Sequence, residues 1–155
     1  MRIYDITIPN SPMYLSDFWH ATGCDPVVVQ DDLAYITLRG GNACGNQVNQ
    51  LIVVSIEEIR EPLELKAYPM NGPYGLGIDG PTLFVCDGDA GLRVFDATDP
   101  LNITDHELAI FPDIFGYDVI PINGILLLIG DDGFYQYDYS DLKDIKLLSK
   151  IEIGA

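Results

Sequence analysis

Two short acidic loops hold the densest potential chemistry in this 155-residue sequence, Asp87-Gly88-Asp89 and Asp131-Asp132-Gly133. Carboxylates set beside glycines can wrap a hard cation, since Ca²⁺ takes roughly six to eight oxygen ligands. Asp87, Asp89, Asp131 and Asp132 are therefore the candidate metal ligands, with Ca²⁺ the candidate ion. Neither loop has the spacing or the terminal Glu of an EF-hand. Asp and Gly also make ordinary tight turns. The cysteines are Cys24, Cys44 and Cys86. A Cys24–Cys44 disulfide would close a loop of about 20 residues, worth roughly 3 kcal/mol in the chain-entropy description. It would suit an exported protein. The competing reading leaves the thiols unpaired, with Cys86 a small buried hydrophobe at the end of a strand. No CxxC is present, and the two histidines, His20 and His106, stand apart in sequence, so zinc spacing is lacking. No GxSxG elbow occurs, and neither His has a nucleophile beside it in sequence. The 24 acidic residues offer too many carboxylate pairs to select a glycosidase-like one.

Aromatic residues gather late in the chain. Strand alternation puts Tyr135, Tyr137 and Tyr139 on one face and Phe134 with Gln136 on the other. That pattern reads as packing between sheets, or as a platform for a sugar or peptide.

Composition narrows the classes. Lys plus Arg is 8 and Asp plus Glu is 24, giving a formal charge of −16. Such acidity argues against nucleic acid and anionic lipid surfaces as partners. With 48% hydrophobic and 21% charged residues, the chain is expected to fold. It contains no apolar run long enough to span a membrane, and MRIYDITIPNSP does not read as a signal peptide.

The elements that must position these residues follow from a repeat. RIYDITIPNSP, LIVVSIEEIREP, LRVFDATDPLN and FYQYDYSDLKD each run from an apolar strand into a turn. Asp5, Ser55, Asp96 and Asp138 share one position, at intervals of 50, 41 and 42. The long first interval holds an insertion, GGNACGNQVNQ, at 40–50. A period of about 42 is the length of a four-stranded propeller blade. A second series confirms the register: strand, tight turn, strand, with turns at Gln30-Asp31-Asp32, Asp79-Gly80-Pro81 and Asn123-Gly124. Asn123-Gly124 predicts a type I′ hairpin. Helical signals are nearly absent, and Pro62 makes the best candidate, 55–64, a turn between strands.

The predicted fold is all-β, a partial β-propeller. Each unit has four antiparallel strands, lettered A to D from inner to outer. A two-stranded half-blade spans 1–20, and blades span about 21–70, 71–112 and 113–155. Closed propellers have at least about four blades, so this segment is expected to belong to a larger propeller or to need partner strands. Missing blades or a partner chain would complete the ring, and Met1 need not be the natural start. The D–A and B–C connections emerge on one face. There the candidate ligand-binding residues are Asp25, Arg39, Tyr74 and Tyr117.

GLRVFDATDPLNI and IYDITIPNSPMYL resemble the bacterial LVIVD-repeat proteins, as do CDPVVV, LFVCDG and LLIGDDGFYQYDYSD toward the C-terminal region of that family. The resemblance covers essentially the whole chain. It implies a β-propeller at the cell surface or outside the cell, lipid-anchored in the full-length protein, with no established reaction. The expected function is a non-catalytic module binding a protein, peptide or glycan. The alternatives are a calcium-assisted hydrolase or lyase using the acidic loops, and a purely structural set of blades.

Overall fold

A computed structural model describes residues 1–19, 26–41 and 47–154. It is all-β, as the repeat requires. Strands β1 (Arg2–Asp5) and β2 (Met13–Asp17) form a two-stranded sheet. Three four-stranded sheets follow. The first contains β3 (Val27–Gln30), β4 (Leu33–Leu38), β5 (Gln50–Ser55) and β6 (Leu63–Pro69). The second contains β7 (Leu76–Asp79), β8 (Thr82–Cys86), β9 (Leu92–Asp96) and β10 (Glu107–Phe111). The third contains β11 (Asp118–Ile122), β12 (Ile125–Gly130), β13 (Gly133–Asp138) and β14 (Lys146–Glu152). Strand order equals chain order and every pairing is antiparallel, so each sheet is an A-to-D meander. Among the described residues no helix is long and apolar enough to cross a membrane.

The shared position of the repeat has a physical cause. Asp5, Asp96 and Asp138 close their C strands and turn the chain by accepting the N–H two residues on, from Thr7, Thr98 and Ser140 at 2.8, 2.9 and 2.8 Å. Ser55 Oγ accepts the Glu57 N–H in the same way at 3.4 Å. These are Asx and ST turns, in which a short polar side chain imitates the backbone. Segment 56–62 is a turn rather than a helix. Asn123 and Gly124 both have positive φ, 51° and 81°, as a type I′ turn demands.

Alternation along the B and C strands divides the core into three clusters, one at each boundary between neighbouring sheets. Ala34, Ile36, Ile52 and Val54 of the first blade pack with Met1 and Phe18 of the half-blade. Tyr35, Leu51 and Val53 meet Leu83, Val85 and Phe95 of the second blade. Phe84, Leu92 and Val94 meet Leu126, Leu128 and Tyr137 of the third. β4 and β8 are apolar on both faces because both faces are covered, whereas β12 buries one face and leaves Ile129 exposed on the other. Tyr135 and Tyr139 join Tyr137 on that boundary, as alternation predicts.

The inner strands approach closely. A Cβ at Gly77 would lie 2.3 Å from Pro121 Cδ and 2.7 Å from the Val119 carbonyl oxygen. Glycine at that position lets β7 lie against β11.

Candidate functional site

The D–A and B–C connections converge as the meander dictates, and they bring three of the sequence-predicted residues together. Thr37, buried in β4, donates its hydroxyl to the Tyr74 carbonyl at 2.5 Å and anchors that residue to the neighbouring blade. The guanidinium of Arg39, the residue immediately after β4, lies over the Tyr74 ring, 3.4 Å from its centroid. Its Nη1 donates to the Gly72 carbonyl at 3.2 Å. The Gly75 N–H donates to the Tyr117 carbonyl at 2.8 Å, tying Tyr74 to the third blade. The Tyr74 and Tyr117 rings meet edge to face at 5.1 Å. Phe115 completes a triangle, 5.9 Å from Tyr74 and 5.5 Å from Tyr117. Edge-to-face pairs of this kind satisfy the ring quadrupoles and hold the rings in place.

Beside this cluster is a cleft of about 200 Å³, lined by Arg39, Asn71, Tyr74, Gly88, Asp89 and Phe115 among others. Asn49 shapes its rim by accepting the Gly40 N–H at 2.7 Å and donating to the Asn71 carbonyl at 2.9 Å. Tyr117 Oη donates to Asp131, and that bond raises the phenol's pKa. The cleft thus offers a cation held over an aromatic ring, amide groups, one exposed carboxylate and aromatic edges. Such a set supports stacking and hydrogen bonding to a ligand. Asp25, Cys24, Cys44 and His20 lie outside the described residues.

Three of the four candidate metal ligands have other engagements. Asp87 is fully buried. Its Oδ1 accepts the N–H groups of Asn71 and Gly72, each at 2.9 Å, and its Oδ2 accepts Arg93 Nη1 at 3.1 Å. Arg93 also donates to Glu107 at 2.7 Å. Asp87 therefore clamps the floor of the cleft from inside the protein. Asp131 accepts from Tyr117, and Asp132 accepts from Tyr135 and from Lys150, the latter at 2.7 Å. The Lys150 hydrogen bond, with that of Tyr135, keeps the Asp132 carboxyl below its usual range. Asp89 is exposed at the cleft. Among the described residues, no three His, Cys, Asp or Glu side chains gather as a metal site would need.

Cys86 is unpaired and buried at the end of β8, and burial pushes its thiol up to about 12. His106 closes a short 3₁₀ turn, Ile103–His106, on the C–D side.

Phe115, Asn71 and Asn49 escaped the sequence reading. Tyr74 and Tyr117 share one repeat position, which marks the face. Phe115 is two residues before that position, and only the fold swings it against Tyr74.

The repeated four-stranded blades and the converging loops define an all-β fold of the β-propeller kind. No family model matches the chain, and no curated protein matches it.

Proposed function

We propose that this chain is a non-catalytic β-propeller module whose D–A/B–C loop face binds a protein, peptide or glycan. The observation that carries the reading is the stacked Arg39–Tyr74 pair at the cleft, braced by Phe115 and Tyr117. A guanidinium held against a ring keeps its outer edge oriented for a ligand while losing little side-chain entropy on binding. Aromatic and Arg side chains are also the types that most often dominate binding energy. The resemblance to LVIVD-repeat proteins supports a place at the bacterial cell surface, with a lipid anchor in the full-length protein.

Glycan and peptide arrays probed with the chain, and with Arg39→Ala and Tyr74→Ala, test the reading. Specific binding that falls about tenfold or more in both variants supports it. Binding unaffected by either substitution overturns the site. For location, surface proteolysis of intact producing cells is expected to cleave the protein, and full protection inside the cytoplasm contradicts that placement.

A further inference from the structure

Of the eight Lys and Arg residues, five are exposed and three are partly buried, namely Arg39, Arg93 and Lys150. Two of those three meet carboxylates. Arg93 pairs with Asp87 and Glu107, and Lys150 with Asp132 and Glu152. Arg39 pairs with no carboxylate among the described residues, although the chain has 24 acidic residues. Its hydrogen bond goes to the uncharged Gly72 carbonyl. A guanidinium carries five N–H donors, so most of the Arg39 fork is unused at the cleft it lines. The Tyr74 ring and the Gly72 carbonyl fix that fork in place. Its planar geometry fits the two oxygens of a carboxylate.

The rest of the cleft narrows the source of that carboxylate. Its volume is about 200 Å³, below the roughly 300 Å³ at which pockets for drug-sized ligands begin. It therefore seats an end group rather than a long segment. Asp89 is exposed at the same cleft, and the whole chain carries a charge of −16. An acidic polysaccharide would bring a row of carboxylates past both, and that repels it. A peptide C-terminus brings a single carboxylate, and its upstream residues are free to bring a cation to Asp89. The exposed Asn71 side-chain amide adds a donor and an acceptor suited to a peptide group.

We propose that the cleft captures the free C-terminus of a peptide. The terminal carboxylate seats on the Arg39 fork, and a basic side chain just upstream reaches Asp89. Capture of C-terminal carboxylates is a recurring mode of peptide recognition. The proposal rests on the loop-face reading above and names its ligand. None of the cleft's lining residues belongs to the half-blade or to β14, the outermost sheet elements of the chain.

An array of pentapeptides tethered by their N-termini, each made as the free acid and as the amide, tests the proposal on the wild-type chain. Free acids with Lys or Arg near the C-terminus are expected to bind, and their amides to bind about tenfold or more weaker. Because acid and amide meet the same folded protein, misfolding cannot produce that difference. Arg39→Gln is expected to abolish the preference for the acid. Asp89→Asn is expected to keep that preference and lose the selectivity for Lys and Arg. Amides that bind as well as acids, with both weakened by Arg39→Gln, overturn carboxylate capture and leave the loop-face reading standing. So does binding of a glycan alone, when Arg39→Gln weakens it. Binding that Arg39→Gln leaves untouched overturns both. Absence of binding to every free acid overturns the proposal, and selectivity for Lys and Arg that survives Asp89→Asn overturns the upstream contact.

Discussion

Arg93 Nη1 lies 3.1 Å from Asp87 Oδ2, a carboxylate with no exposure to solvent. That pair, with the Asn71 and Gly72 N–H groups on the other oxygen, joins the first strand of one hairpin to the loop under the cleft. Removing one partner of a buried, hydrogen-bonded charge pair leaves the other unsatisfied. Asp87→Ala is therefore expected to cost about 3 kcal/mol or more, read as a lower urea midpoint. Asp89→Ala, exposed at the cleft, is expected to change stability by less than about 0.5 kcal/mol.

Alkaline pH offers a second check. Tyr139 donates its hydroxyl to Asp79 at 2.5 Å across the boundary between the second and third blades. Burial first, and then that carboxylate, push its pKa up to about 12. Because the folded value lies above the unfolded one, the contribution is fully present below about pH 10 and is lost as pH rises through about 12. Tyr139→Phe is expected to be less stable at pH 7 by roughly 1–2 kcal/mol, for loss of a bond to a charged group. The two proteins should converge as pH approaches about 12. Urea titrations across that range measure the difference.

The inner strands make a packing prediction. Gly77→Ala places a methyl group against Pro121 and the Val119 carbonyl and should cost about 2 kcal/mol or more. Gly72→Ala meets nothing within 4 Å and should be near neutral. Thermal melts of the pair separate backbone approach from any general dislike of alanine.

Thiol chemistry divides the cysteines. Cys86, 1% exposed and held as a neutral thiol, should resist alkylation at neutral pH and react only in denaturant. With Cys86 unpaired, an intrachain disulfide can join only Cys24 and Cys44. Peptide mapping without reductant is expected to find that crosslink in material secreted by an exporting host. Alkylation of both residues there would contradict it.

The blades were legible because their causes are local. The Asp5, Asp96 and Asp138 turns and the Asn123-Gly124 hairpin use neighbours within two residues. Alternation alone put Tyr135, Tyr137 and Tyr139 on one face, and the fold makes that face a boundary between blades. The site was legible only in part. Tyr74 and Tyr117 appear as one repeated position, but the Arg39 stack on Tyr74 spans 35 residues and depends on two blades meeting. Asp87 looked like a cation ligand because its partners, Asn71, Gly72 and Arg93, come from separate strands and loops. Only folding reveals that its oxygens are occupied.

The most direct test of the loop-face site is an NMR amide map of the chain titrated with an array-selected glycan or peptide. The expected shifts cluster at Gly72, Tyr74, Gly88, Asp89, Phe115 and Tyr117, around the cleft and its aromatic wall. Shifts confined to the opposite-face turns at Asp79-Gly80 and Asn123-Gly124 would contradict the account.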